Sequence, residues 1–344
     1  MEEEKKFVGG WGKGNKMGER RHKGQLLEGE RWVDVGSAVR LLDLRISAMS
    51  QMQRSFSIDL PSLRLPSRRE THLWYILPDE VKSTSLLKRY SQLLSQTEKD
   101  RVDQMRGDEL KKNALLARTL SPKASAFLYD KAVKLVSKTN EAVDPRSLMF
   151  KKNMYGKPEL DWQNCNVQPL HFNISHTDSL IACGVTVHVP VGIDVEDKER
   201  KIKHDVLTFA KRFYSADEVN CLATILDPEA QRKEFIKLWT LKEAYVKALG
   251  KGFSAAPFNT FTIQSNPGGY NLCKTSEITA NPLEETKKCN GGWKFALLEL
   301  ADSHYAAVCT EDDQADEGAP MRVIVRKTIP FVEDQLILKE YFCN

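Results

Sequence analysis

From Val187 to Val195 every second residue is apolar, and the run ends in Gly192-Ile193-Asp194-Val195-Glu196. A strand has a side-chain period of two, so Val187, Val189, Val191, Ile193 and Val195 share one buried face. Asp194 and Glu196 then stand side by side on the other face. Two like charges on one rigid element are costly unless a cation neutralises them. A second stretch, Trp239-Thr240-Leu241-Lys242-Glu243-Ala244-Tyr245-Val246-Lys247, reads as helix. There Glu243 and Lys247 are spaced i, i+4 and lie on one face within a turn. Three carboxylates suit a hard, oxygen-seeking ion such as Mg²⁺, and nearby lysines suit the phosphates such an ion bridges. Taken singly, an Asp-x-Glu is usually a solvated strand face and a Glu/Lys pair a weak surface contact. It is the combination of Trp239, Lys242, Glu243 and Lys247 that a generic amphipathic helix does not supply.

The rest of the chain bounds that reading. Its 344 residues suit one two-lobed body or two small domains, and a formal net charge of +4 falls far short of a nucleic-acid signature. It does suit an anionic nucleotide ligand or an acidic protein partner. No apolar run is long enough to cross a membrane. Seven scattered cysteines, without a C-x-x-C or Cys/His cluster, argue against a disulfide framework or structural zinc and for a reducing compartment.

Residues 1–69 read as an N-terminal extension, disordered or targeting. The acidic opening Glu2-Glu3-Glu4 argues against a transit segment at this start, whereas a start at Met49 or Met52 would suit one better. The body begins with a strand at Thr71–Leu77. Helical pieces follow from Pro78 to Leu120, with Ser95-x-x-Glu98 as a capping box. Strands are expected at 148–151, 170–174, with Leu170, Phe172 and Ile174 buried, and 180–187. Residues 204–214 form an amphipathic helix. A capping box at Ser215-x-x-Glu218 opens the next, and Asp227, Pro228 and Gly250 bound a long one. Further strands lie near 258–264, 293–299, 304–310 and 321–325. This order indicates an α+β body with antiparallel sheets and packed helices.

The order G-I-D-V-E, K-R-F-Y-S-x-x-E and W-x-x-K-E-A-x-x-K followed by Gly250-Lys251-Gly252, with Gly156-Lys157-Pro158 and Asn173-Ile174-Ser175-His176 upstream, resembles the 4'-phosphopantetheinyl transferase superfamily. The length fits its long, two-lobed, surfactin-synthetase-activating branch. The resemblance spans about His72 to Thr328. It implies two similar lobes related by pseudo-twofold symmetry, here 70–184 and 185–330, with 331–344 as a C-terminal tail. It implies transfer of the phosphopantetheine arm of coenzyme A to a serine of an apo acyl or peptidyl carrier protein, as in fatty acid biosynthesis, with release of adenosine 3',5'-bisphosphate.

Under that resemblance Asp194, Glu196 and Glu243 hold Mg²⁺, and Glu243 with Lys247 serves catalysis. Lys157, Ser175, His176, Lys242, Lys247 and Arg106 bind coenzyme A. Trp239 fixes the helix by core packing. A monomer without nucleic-acid or membrane partners is expected, in the cytoplasm or alternatively the mitochondrion. One departure stands out. Ser121-Pro122-Lys123 and the segment 121–140 replace the family's arginine-bearing helix, and Pro122 interrupts any helix through Leu120. A coenzyme A- or carrier-binding variant with impaired catalysis is therefore the alternative. A Mg²⁺-dependent nuclease would explain the carboxylates but not the remaining motifs.

Overall fold

The computed structural model describes residues 66–120, 150–160, 170–203, 205–252, 256–266, 269–274, 292–312, 320–329 and 333–343. All of them fall in one compact unit, Leu60–Asn344. The expectations for residues 1–65 and for the 121–140 segment lie outside the described residues.

The chain runs β1 (Glu70–Ile76), α1 (Thr84–Leu93), α2 (Gln96–Asp103), α3 (Asp108–Leu120), β2 (Phe150–Lys152), β3 (Pro158–Leu160), β4 (Leu170–His176) and β5 (Ile181–Val187). It continues with β6 (Val191–Asp197), α4 (Val206–Phe213), α5 (Ala216–Ala223), α6 (Pro228–Leu249), β7 (Phe261–Asn266), β8 (Gly269–Lys274), β9 (Trp293–Leu300) and β10 (His304–Glu311). Two strands close it, β11 (Met321–Ile329) and β12 (Glu333–Cys343).

These elements form one topology twice. In the first half β5 lies between β1 and β4, and in the second β10 lies between β6 and β9, antiparallel throughout. Between the outer strands each half carries a capped eight-residue helix, a longer helix and a small hairpin. Ser95 caps α2 through a capping box with Glu98, and Ser215 caps α5 through one with Glu218. Such reciprocal caps satisfy amide donors that the first helical turn leaves open. The alternation of buried and exposed positions along 101–120 is repeated without change along 221–240. The sequence letters do not reveal this repeat, because burial is shared by the two halves while residue identity is not. The fold is thus α+β with two similar lobes.

Two strand pairings bear on where the lobes meet. β5 pairs with β1 and β4, so it belongs wholly to the first lobe, and the chain crosses to the second in the turn 188–190. The residues expected as a tail form β12, which pairs with β11, and β11 in turn lies parallel to β1. A C-terminal hairpin therefore extends the first lobe's sheet.

The core sits between the two sheets. Leu73, Tyr75, Ala182, Val191, Ile193 and Val195 pack there with Leu298, Val308 and Val323. β6 thus buries the apolar face expected of it and turns Gly192, Asp194 and Glu196 towards α6. Gly192 permits the contact. A Cβ there would lie 1.9 Å from the Ala244 carbonyl oxygen and 2.2 Å from the Ala248 amide nitrogen. Asp227 caps α6, Pro228 opens it, and Gly250 ends it in the left-handed conformation at φ 65°.

Candidate active site

Three elements converge on Asp194. From β6 its carboxylate points between the lobes and is only 4% exposed. From α6 the Lys247 ammonium donates to Asp194 Oδ1 at 2.5 Å and to Ser175 Oγ at 3.1 Å. From β4 the Ser175 hydroxyl donates to the same Oδ1 at 2.9 Å and accepts the Val195 amide at 3.3 Å. Two residues earlier Asn173 Oδ1 accepts the Ile193 amide at 2.8 Å. One edge of β6 pairs with β10, and these two side chains satisfy amides on its other edge. An unpaired buried amide is expensive, so Asn173 and Ser175 hold the carboxylate strand in register against the first lobe.

This departs in part from the expected facing of β4. Phe172 is buried, but Leu170 and Ile174 are only half-buried, and the polar Asn173 and Ser175 turn inward because β6 needs partners. His176, the next residue, is exposed. Partial burial first, and then the nearby Lys247 charge, keep its imidazole below its usual pKa, although Asp178 and Asp194 oppose this. His176 is therefore neutral near pH 7.

Glu196 and Glu243 complete the cluster. Burial above all, and then the Asp194 charge, push Glu196 up to about 7 despite its ion pair with Arg200. Burial likewise raises Glu243 to about 7, with Asp194 and Glu196 adding to the effect and Lys247 and Arg200 opposing it. Glu243 thus shares a field with the β6 carboxylates. Burial works against the Lys247 charge, yet Asp194, Glu243 and Glu196 outweigh it and raise its pKa.

The other expected phosphate ligands are engaged elsewhere. Lys242 is fully buried on a different face of α6 from the carboxylates. Its ammonium pairs with Glu218 at 2.8 Å, donates to the Phe258 and Phe261 carbonyls at 2.7 Å, and lies 4.1 Å from the Phe261 ring centre. Glu218 also accepts the Ile263 amide at 2.8 Å. Lys242 therefore ties α6 to α5 and β7 rather than facing a phosphate. The reason is the helical step: the residue before Glu243 points about 100° away from it. Glu218→Gln or Lys242→Met is expected to cost about 3–5 kcal/mol, because either leaves one buried charge alone. The double variant is expected to recover part of the loss, as urea unfolding would measure.

Lys157 is similarly placed. Its ammonium donates to the Val191 carbonyl at 3.1 Å and the Ala248 carbonyl at 3.5 Å. Burial chiefly lowers its pKa to about 8. Its neighbour Asn153 donates to the Gly250 carbonyl at 2.8 Å while accepting the Lys157 amide. The Gly-Lys-Pro turn thus staples the β2–β3 hairpin to the end of α6. Arg106 lies exposed in the turn between α2 and α3. Trp239 is core, packed among Phe209, Phe213, Tyr214, Phe235 and Phe258.

Among the described residues no three His, Cys, Asp or Glu side chains are arranged around one metal position. Asp194 Oδ1 already faces Lys247 and Ser175, and Glu196 faces Arg200. Asp194 Oδ2, however, is buried without a hydrogen-bond partner. An orphaned carboxylate oxygen with two further carboxyls in its field supplies oxygen donors of the kind a hard divalent cation takes, although the three do not close around one position.

Comparison with known proteins bears on this cluster. A profile of the 4'-phosphopantetheinyl transferase superfamily matches residues 190–309, the stretch that carries Asp194, Glu196, Glu243 and Lys247. The chain is 30% identical over 171 residues to the 4'-phosphopantetheinyl transferase Sfp of Bacillus subtilis (strain 168), covering 50% of this chain and 71% of that protein. The chain belongs to the 4'-phosphopantetheinyl transferase superfamily. Within the superfamily it is 38% identical over 120 residues to the transferase gsp of Aneurinibacillus migulanus, across 35% of this chain. The match spans 45% of that relative's length, and 59% of a second Bacillus subtilis transferase. A solved holo-[acyl-carrier-protein] synthase of Thermotoga maritima overlaps 40% of this chain and 68% of its own, at 24% identity and a TM-score of 0.27.

The sequence assigns no role to Asn173 or Arg200, and to Glu218 only that of a local cap. Arg200 stands four residues after Glu196, a spacing that was legible. Glu218 was recognised as a local cap, but its second partner, Lys242, is 24 positions away and is supplied only by the fold.

Proposed function

We propose that the chain transfers the 4'-phosphopantetheine group of coenzyme A to a serine hydroxyl of an apo acyl or peptidyl carrier protein. The serine oxygen forms a bond to phosphorus, the bond to adenosine 3',5'-bisphosphate breaks, and the serine proton passes to a carboxylate. The observation that carries this reading is the buried Lys247–Asp194–Ser175 contact, which joins three family motifs at one point.

Asp194, Glu196 and Glu243 would hold Mg²⁺. When bound, that ion supplies charge neutralisation on the diphosphate. Asp194 and Lys247 fix the floor of the site. Glu243, half-buried and raised to about 7, accepts the serine proton. His176, exposed at the end of β4, offers a neutral imidazole to the nucleotide end of coenzyme A. Lys157 acts by anchoring the hairpin to α6. Two lobes in one chain suit a monomer, and the reading extends to a holo-synthase of fatty acid biosynthesis in the cytoplasm or mitochondrion. No helix among the described residues is long and apolar enough to cross a membrane.

Incubation with coenzyme A, Mg²⁺ and an apo carrier protein is expected to add one phosphopantetheine mass to the carrier. An unmodified carrier, beside a known transferase that modifies it, would sink the proposal. The pH dependence follows from the raised carboxyls. Glu196 and Glu243 are largely protonated below about 7 and ionised above it, so the transfer rate should fall as pH drops through that value. Their effect on stability has the opposite sign. A carboxyl with a raised folded-state pKa stabilises the fold below its unfolded value and loses that contribution as pH rises through the folded one.

A further inference from the structure

We propose that Arg200 is an internal counter-ion seated on Glu196, and that a divalent cation enters the carboxylate cluster by displacing it. The proposal rests on the reading of Asp194, Glu196 and Glu243 as cation ligands. It concerns a residue outside that set, which the resemblance assigned no role.

The loop after β6 is built to deliver this guanidinium. Asp197 shapes it, its carboxylate accepting the Glu199 amide at 2.8 Å and its carbonyl the Arg200 amide at 3.1 Å. The Lys198 amide donates to the Ser303 carbonyl at 2.9 Å. Arg232, in the second turn of α6, donates to the carbonyls of Lys198 and Arg200 at 2.7 and 2.8 Å. Glu229 holds Arg232 in turn by two hydrogen bonds, at 2.8 and 2.6 Å. The backbone of Arg200 is therefore fixed by the same helix that carries Glu243 and Lys247. Its side chain pairs with Glu196 Oε2 and remains 24% exposed, with a path to solvent.

Charge balance favours exchange over simple addition. Counted with all three carboxylates ionised, the cluster outnumbers Lys247 and Arg200 by one negative charge. Adding a divalent cation with Arg200 in place would overshoot to a net positive cluster. Exchanging Arg200 for the cation gives neutrality, and the orphaned Asp194 Oδ2 gains a partner in the same event. Arg200 then satisfies Glu196 in the cation-free protein and, by competing for it, sets how tightly the cation binds.

The test is a Mn²⁺ titration of the full chain without coenzyme A, read by electron paramagnetic resonance at mildly alkaline pH. Wild type, Arg200→Gln, Arg200→Lys and Glu196→Gln are compared, with far-UV circular dichroism to check the fold of each. Arg200→Gln is expected to bind Mn²⁺ about tenfold more tightly than wild type, since the competing charged hydrogen bond is gone. Arg200→Lys, which keeps a charge on a shorter stem, should fall between them and serves if the glutamine variant does not fold. Unchanged or weaker binding in the folded arginine variants would overturn the proposal. If no folded variant, nor wild type, binds Mn²⁺, and Glu196→Gln makes no difference, the carboxylates are not a cation site and both readings fall.

Discussion

Gly192→Ala is expected to destabilise the protein by about 3 kcal/mol or more, measured by urea denaturation, with a matching loss of soluble yield. Overpacking is usually relieved when a side chain yields, but here the atoms that a methyl group would strike belong to the backbone of α6. The Ala244 carbonyl would be 1.9 Å away, and the Ala248 amide nitrogen and Cα 2.2 and 2.8 Å away. Relief requires the helix to retreat from β6. That movement would separate Lys247 from Asp194 and Glu243 from Glu196, so any protein that still folds should also lose activity. Gly292→Ala is the control. Nothing lies within 4 Å of its added methyl, and near-wild-type stability is expected. If both alanine variants melt like wild type, β6 and α6 do not pack as described.

Asp194→Ala has the largest expected effect on chemistry, a loss on the order of 10²–10³ in kcat/KM. The fold should tolerate it better than the activity does. Lys247 would lose its closest partner but still feel Glu243 and Glu196, whose charges already help to raise its pKa. Carrier modification followed by mass spectrometry gives the rate, and thermal melting in parallel separates catalysis from stability. Retention of full activity in a folded Asp194→Ala variant would remove the centre of the proposed site.

Much of this was legible from residues alone. The alternation from Val187 to Val195 placed Asp194 and Glu196 on one face of β6, and the i, i+4 spacing put Glu243 and Lys247 together on α6. Ser95, Ser215, Asp227 and Gly250 marked helix ends that the structure confirms, because capping depends on neighbours within four residues. The lysines were harder. A Gly-Lys-Pro turn and a Lys242 next to Glu243 look like phosphate ligands when only proximity in sequence is known. Whether an ammonium meets solvent or a buried carbonyl depends on elements far along the chain. Lys157 finds Val191 and Ala248, and Lys242 finds Glu218 and the Phe258–Phe261 turn.

The sequence by itself determined the local terms: which residues alternate, which cap, and which carboxylates share a face. Those follow from the fixed periods of strand and helix. The tertiary structure decided the pairings between the halves. Asn173 and Ser175 close the free edge of β6, Lys247 reaches Asp194, and Arg200 rather than a second lysine answers Glu196. Desolvation makes each of those choices compulsory, since a charge or amide taken from water must find its partner wherever the fold brings one.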